Sequence, residues 1–406
     1  MITTEQALKI ILDSVKPSAE VEWPPLAEAL GATLAQDALS DIDIPPFHRV
    51  TVDGYAVIAS DGPGQYPVVE DVPAGHYPKV MIRPGEVSKV MTGAPLPEGA
   101  DAVIAVEKTG GFADVGRMAR IDEPISQGKN ISRQGEDLKA GQTALARGAV
   151  IGPAQAAVLA SVGVDPCPIF RRPRVAVLAT GDELVDCQRK PGPGQIRNSN
   201  GPSTMALIKS AGVTGVNLGT AGDSEAALEE KIRQGMESDF LIVSGGVSAG
   251  DRDLVPAVLA RCGYRTLFHK VAVKPGKPTL FGVSAAGRHV FGLPGNPVSS
   301  MVIFELFILP ALMRFQGAPH QAMAVEARLE ASFKRKDAQR QEYLPVRMSW
   351  EEGGFLARTI DYHGSGHFIA LTQANGLIMI PMGVTSLPKG SVVSARFTLG
   401  RIAPAQ

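Results

Sequence analysis

The sequence predicts a multidomain α/β plus β protein organised round a doubly wound parallel sheet. Three observations carry this reading. Residues 173–317 alternate short apolar β-runs with helical stretches. Residues 46–141 are rich in turns, with short β-runs and no long helical periodicity. From about Gly317 the β pattern returns without a helix of any length. A chain of 406 residues, 44% hydrophobic and 20% charged, can bury several separate cores. Its net charge of −1 lacks the basic footprint that sequence-independent nucleic-acid binding needs, and 5% aromatics removes most stacking platforms for single strands. Cys167, Cys187 and Cys262 are odd in number and far apart, which indicates neither a disulfide framework nor a zinc site.

The chain opens MITTEQALKIILDSV. Thr3 and Gln6 have the spacing of a capping box ahead of an amphipathic helix carrying Leu8, Ile11, Leu12 and Val15. No basic segment precedes an apolar core, so this is not read as a signal peptide. A second helical stretch spans 153–163. Residues 1–45 and 142–172 are expected to pack as one helical domain, with the β-rich domain 46–141 inserted into it. Arg172-Pro173-Arg174 marks the next boundary. The α/β domain 173–317 then predicts strands over 175–179, 213–218 and 240–243, and helices near 202–210, 224–236 and 254–261. Two apolar runs at 279–282 and 289–292 precede a helix over 298–313. Such alternation predicts a parallel sheet covered on both faces. The helix 298–313 is interrupted by Glu305 and Pro310 and reads as too short to span a bilayer. The expected location is cytoplasmic, with no membrane contact. Residues 318–406 form a separate β domain, with strands near 343–348, 355–359, 377–381 and 392–397.

Ligands of doubly wound sheets bind beyond the C-terminal ends of the strands. Four unusual segments fall there: TGDEL (180–184), SGGVSAGDRD (244–253), KPGKP (274–278) and GLPGNPVSS (292–300). Pro275-Gly276 suits the centre of a type II turn, which would bring the Lys274 and Lys277 Cα atoms within roughly 7 Å. Ammonium groups so close repel unless an anion lies between them. Asn296 suits an N-cap and Pro297 the first helical position, and such a helix start attracts oxyanions. Gly245, Gly246 and Ser248, with Pro294, Gly295 and Asn296, are candidate ligand contacts in these loops. Asp251 and Asp253 exceed what one helix cap needs, and oxygen ligation of Mg²⁺ is their natural use. Asp182 and Glu183 suit a pocket that holds both lysines and a divalent cation, while Asp223 reads first as an N-cap and only second as a ligand residue. Neither GxxxxGK[ST] nor GxSxG occurs, so Walker-type and covalent hydrolase chemistry is not indicated. Positioning, metal and electrostatics remain, as in phosphoryl transfer. In the inserted domain, Asp53, Thr92 and Asp137 each stand beside glycine in a tight turn.

Taken together, VDGYAV, VMTGAPLPEGADAV, QGEDL, ATGDEL, SGGVSAGD, KPGKP and GLPGNPVS, in this order and over nearly the whole chain, resemble the MoeA/gephyrin E-domain family of molybdopterin molybdenumtransferases. The resemblance implies four domains: a helical one, the inserted β domain, a molybdopterin-binding α/β domain and a C-terminal β-barrel-like domain. It also implies an elongated homodimer, in which the inserted domain of one subunit faces the α/β pocket of the other. The implied reaction takes adenylylated molybdopterin and molybdate, releases AMP and inserts molybdenum, with Mg²⁺ assisting. Transient contact with a molybdopterin adenylyltransferase is implied as well. On this resemblance Glu183, Asp53, Thr92, Asp137, Lys274 and Lys277 are catalytic. Asp182, Asp223 and Ser365 bind substrate, and Glu183 and Asp253 hold the metal, joined by Asp251 from the loop reading above. The family's C-terminal arginine column holds Pro345 here, which leaves Arg340 or Arg347 to substitute. Two other readings are adenylylation of molybdopterin by ATP and a non-enzymatic scaffold.

Overall fold

A computed structural model describes residues 1–247, 254–319, 324–351 and 353–398. Among the described residues the central sheet has six strands: β1 Val175–Thr180, β2 Gly215–Ala221, β3 Phe240–Ser244, β4 Tyr264–His269, β5 Leu280–Ser284 and β6 His289–Leu293. Their order is β2-β1-β3-β6-β5-β4. β1 runs parallel to β2 and β3, and β3 parallel to β6. β5 is antiparallel to both β6 and β4, so the expected parallel sheet is corrected to a mixed one. Only residues 285–288 join β5 to β6, too few for the crossover that a parallel pair requires. The alternation of each central strand splits its side chains between two cores. Val175, Val177, Phe240 and Ile242 enter one, and Ala176, Leu178, Leu241 and Val243 the other.

The first helix, Thr4–Ser14, opens on the expected capping box. Gln6 N–H donates to Thr3 Oγ1 at 3.2 Å, and Thr3 N–H donates to Gln6 Oε1 at 2.9 Å. Its stripe of Ala7, Ile11 and Val15 packs on the central domain beside Phe304 and Phe307. The sequence leads one to expect packing with the helix Pro153–Ser161, but that helix shares a different core, with Ala29, Leu34, Ile151 and Ile169. The apolar groove along the helix 297–315 buries Ile11 and Val15 completely, whereas the other core is small and alanine-rich. This long helix is α from Pro297 to Ile303, π over Phe304–Ile308 and α again from Leu309 to Phe315. Pro310 cannot bond back to Leu306, and its ring would strike that carbonyl in a regular α-helix; the π turn absorbs the mismatch. At 19 residues the helix exceeds the expected span and is long and apolar enough to cross a membrane, yet 78% of its most apolar 18-residue window is buried within the fold.

The inserted region carries a five-stranded sheet ordered Ala102–Ala105, Gly54–Val57, Val87–Val90, Gly64–Val72 and Met118–Ile121 among the described residues. At the other end, Gln341–Glu351, Gly354–Thr359, Ala324–Leu329, Val392–Phe397 and Gly376–Ile380 pair in turn. The last pairs again with the first, closing a barrel. A short strand, Val273–Lys274, adds to this barrel in parallel, with Val273 opposite Gln341 and Lys274 opposite Glu342.

At the N-terminal end of β3, Asp239 is 4% exposed. It accepts from Arg171 Nη1 and Nη2 (2.8 and 3.0 Å), from Arg174 N–H (2.8 Å) and from Arg288 Nη1 (2.5 Å). Burial pushes this carboxyl up, but the three arginine contacts outweigh it and hold it below the usual carboxylate range. The stabilisation is therefore present at neutral pH and lost as pH falls through the lowered value. Asp239→Asn should lower stability by about 3 kcal/mol, measured by thermal denaturation at pH 7. The deficit should shrink below pH 4, while ligand binding at the opposite end of the sheet persists.

Candidate functional site

After β1 the chain passes to β2 on one side, while β3 lies on the other. The crevice beyond the C-terminal ends of β1 and β3 is the topological switch point. A cavity of about 840 Å³ lies there, lined by Thr180 at the end of β1 with Gly181 just beyond it, and by Ser244 at the end of β3 with Gly245 and Gly246 just beyond it. Gly245 has φ +98°, and a Cβ on it would stand 2.5 Å from the Thr180 carbonyl oxygen, so the crevice floor admits only glycine. Asn200, in the first turn of the helix Asn200–Ser210, donates from Nδ2 to Ser244 Oγ (2.7 Å) and to the Gly295 carbonyl (2.8 Å). It thereby clamps the end of β3 to the loop after β6. Asn200 Oδ1 and Thr180 Oγ1 are buried on this floor without a hydrogen-bond partner among the described residues.

The two carboxylates of TGDEL take different places. Asp182 Oδ1 accepts from Asp223 N–H at 2.9 Å, and Asp223 Oδ2 accepts from Asp182 N–H at 3.4 Å, so each carboxylate is met by a backbone donor. This reciprocal pair ties the ends of β1 and β2 together. Asp223 lines the cavity and Asp182 does not. The helix Glu225–Gly235 is capped by Ser224, whose Oγ accepts from Ala227 N–H at 3.3 Å, which corrects the reading of Asp223 as N-cap. Glu183 lines both this cavity and a second one of about 790 Å³.

The second cavity gathers Lys274 and Lys277 with Pro294, Gly295 and Asn296 from the central domain, and Arg340, Glu342, Tyr362, His363 and Ser365 from the barrel. The turn falls on Lys277-Pro278 rather than on Pro275-Gly276, so the expected type II turn is not formed, and the Lys274–Pro275 bond is cis. Lys274 Nζ pairs with Glu342 Oε1 at 2.8 Å, so a carboxylate of the chain itself relieves the expected repulsion. Lys277 has no ion pair among the described residues. Of the two candidate arginines, Arg340 lines this cavity, with Nη2 3.3 Å from Asp337 Oδ2; Arg347 sits on the barrel opposite Arg358 and lines neither cavity. Burial, with Glu342 near, pushes the Tyr362 phenol up to about 12, which keeps it a donor at neutral pH. Asn296 takes the N-cap position before Pro297 as expected but makes no side-chain capping bond, and it lines both cavities. The Ser365 carbonyl accepts from Val298 N–H at 3.3 Å, docking the barrel loop on the first turn of that helix.

Asp53 and Thr92 come together in the inserted domain. Asp53 Oδ1 accepts from Thr92 N–H at 2.7 Å and from Thr92 Oγ1 at 2.8 Å, which holds the Asp53 carboxyl below the usual range. Asp137 is exposed, and its N–H donates to the Ile44 carbonyl at 3.0 Å. None of the three lines either cavity of its own chain. Ser248, Asp251 and Asp253 lie outside the described residues. Among the described residues no group of three or more His, Cys, Asp or Glu converges to hold a metal ion. Sequence reasoning missed Gln195, Arg197, Asn198, Asn200 and Phe368, all in the first cavity wall. The polar run RNSN ahead of a helix start was the available signal for three of them.

A switch-point crevice flanked by a cationic second cavity, with a barrel loop at its rim, defines a ligand-binding α/β protein of the doubly wound class with appended β domains. Three family profiles cover the chain. The MoeA N-terminal region (domain I and II) matches residues 2–163, a domain described as "Probable molybdopterin binding domain" matches 176–314, and the MoeA C-terminal region (domain IV) matches 326–396. The molybdopterin molybdenumtransferase of Bacillus subtilis is 34% identical over 97% of this chain and 93% of its own length. Molybdopterin molybdenumtransferase 2 of Mycobacterium tuberculosis is 35% identical over 90% and 92%. A crystal structure of the molybdopterin biosynthesis MoeA protein from Pyrococcus horikosii superposes with a TM-score of 0.81 at 35% identity, covering 98% of this chain and 99% of that one. The chain belongs to the MoeA family. Gly245→Ala should destabilise the protein by about 1–3 kcal/mol, read as a fall in denaturant midpoint, because the new methyl displaces the Thr180 carbonyl from the crevice floor.

Proposed function

We propose that the chain is a molybdopterin molybdenumtransferase, a cytoplasmic and Mg²⁺-dependent homodimer that completes molybdenum cofactor biosynthesis. It takes adenylylated molybdopterin and molybdate, cleaves the phosphoanhydride, releases AMP and passes molybdenum to the dithiolene. The observation that carries this reading is Glu183, shared by two cavities of different character. The first has a polar floor of Thr180, Asn198 and Asn200 suited to an organic ring system rich in donors and acceptors. The second is rimmed by Lys274, Lys277 and Arg340 and suits an oxyanion, molybdate or phosphate. A substrate reaching from one to the other brings its anhydride beside Glu183, so that catalysis rests on positioning and fixed charge.

In this reading Lys277, which has no ion pair among the described residues, holds the incoming oxyanion, while Lys274 is oriented by Glu342 toward the same space. Glu183 orients the anhydride, and Asp182 keeps its loop in place through Asp223. Mg²⁺ fits the donor set, since Glu183 and Asp223 offer carboxylate oxygens and this ion is usually completed by substrate phosphates and water. When bound it supplies neutralisation of phosphate charge; Asp251 and Asp253 are its further expected ligands. Asp53, Thr92 and Asp137 would serve the site of the other subunit, a role supported by their absence from the walls of both cavities of their own chain. The substrate would arrive by transient contact with a molybdopterin adenylyltransferase.

The test is AMP release from adenylylated molybdopterin on addition of molybdate, followed by chromatography. Glu183→Gln should fold normally and release AMP at least about 100-fold more slowly, and chelation of Mg²⁺ should stop wild-type release. Undiminished release by the variant would remove Glu183 from the chemistry. Mixed dimers of Asp53→Ala and Glu183→Gln subunits should recover roughly a quarter of the wild-type rate by statistical assortment, whereas a site made within one chain would recover none.

A further inference from the structure

The KPGKP segment lies between β4 and β5, and hydrogen bonds made outside the cavity it serves fix its path. Val271 N–H donates to the Lys277 carbonyl and Lys270 N–H to the Thr279 carbonyl, both at 3.0 Å, so the segment folds back on its own base. Thr279 Oγ1 donates to the Gly276 carbonyl at 2.6 Å, and both residues are buried, with Lys277 exposed between them. The base is gripped from two sides. Ile2 pairs in parallel with Val271, and its carbonyl accepts from Ala272 N–H at 2.8 Å. From the barrel, Gln341 N–H donates to the Ala272 carbonyl at 3.0 Å. Thr4, the first residue of the first helix, is 5% exposed, and its Oγ1 donates to Gln341 Oε1. A ring of contacts results, from residue 2 to 272, from 272 to 341, and from 341 back to 4. The first helix is itself seated on the central core through Ala7, Ile11 and Val15, so the ring fastens the barrel strand and the base of the lysine segment to one packed body.

We propose that Thr4 is a positioning residue for the second cavity, setting through Gln341 and the backbone of residues 271 and 272 where the Lys277 ammonium stands. This rests on the oxyanion role that the proposed function gives that cavity. The two lysines differ in how they are aimed. Glu342 orients Lys274, whereas Lys277 has no ion pair among the described residues, so its ammonium is placed only as accurately as its backbone. A lysine carries a point charge on a flexible stem, and a backbone shift of about 1 Å is enough to spoil its contact with a bound anion. Without the Thr4 hydroxyl, Gln341 loses its tie to the helix; Ala272 moves with Gln341, and Lys277 moves with Val271. The first cavity stands on the loops after β1, β3 and β6, none of which joins this ring, so the organic part of the substrate keeps its contacts.

Thr4→Val replaces the hydroxyl by a methyl group. It should raise KM for molybdate about tenfold in the AMP-release assay, with kcat and KM for adenylylated molybdopterin each within about twofold. Thr4→Ser, which keeps the donor, should stay near wild type. Gln341→Leu removes the same contact from the barrel side and should give the same rise, and the double variant should add nothing further. Calorimetric binding of molybdate to the full chain should weaken by the same factor. An unchanged KM and affinity for molybdate in folded Thr4→Val protein would reduce Thr4 to a stability residue and overturn the positioning role, leaving the transferase reading in place. Equal rises in KM for both substrates would mean a general loosening of the fold and overturn it too. If Thr4→Val does not fold, Gln341→Leu decides the matter by the same readings. Failure of the wild-type protein to release AMP on addition of molybdate would overturn the transferase reading and the role of Thr4 with it.

Discussion

The site depends on one carboxylate held between two cations across a domain boundary. Glu342 is 5% exposed at the start of a barrel strand, with Lys274 Nζ at 2.8 Å on one oxygen and Arg335 Nη1 at 3.2 Å on the other. A charge this deeply buried must be paired, since losing its cations would leave it uncompensated at a cost of several kcal/mol. Arg335 is fixed in turn by the carbonyls of Val384 (2.6 Å) and Arg340 (3.0 Å), so the barrel presents Glu342 as a rigid anchor. The parallel register of Val273–Lys274 against residues 341 and 342 follows from the same contact. Through it the lysine turn, the loop after β6 and the barrel loop at residues 362–365 surround one space.

A second constraint is backbone rather than charge. The crevice opens between β1 and β3 because the connections leave β1 toward opposite edges of the sheet, and only glycine at position 245 lets the two strand ends approach as they do. Asn200 spans this approach and brings Gly295 into the same floor. The result places a polar floor, an acidic tip and a cationic rim side by side. In water such charges would be matched by solvent. Here each of Asp182, Asp223 and Lys274 already has a protein partner, while Lys277 has no ion pair among the described residues. Among the described residues Thr180 Oγ1 and Asn200 Oδ1 are buried in the crevice floor without a hydrogen-bond partner.

The family and the main elements were legible in the chain alone, because they rest on local signals. Apolar β-runs bounded by glycine, the capping box at Thr3 and Gln6, and the Asn296-Pro297 helix start are all short-range patterns, and each appears where it was expected. Strand direction was not legible. β4 contains Arg265, Thr266 and His269, which break the apolar run, and the antiparallel turn of β5 back onto β6 depends on a connection too short for a helix. The position of the first helix was also hidden, since its stripe fits any apolar groove and only the assembled fold ranks the grooves.

The sequence by itself determined which glycine-, proline- and charge-bearing segments stand at the strand ends, since glycine, proline and charge at fixed spacing restrict local backbone whatever surrounds them. Only the tertiary structure decided that Glu183 belongs to two cavities, that Lys274 is neutralised by Glu342, that Ser224 and not Asp223 caps its helix, and that Arg197 and Phe368 share a wall. Those are pairings between residues tens to hundreds of positions apart, or choices between adjacent residues of equal propensity. They are settled by burial and packing, which no local pattern encodes.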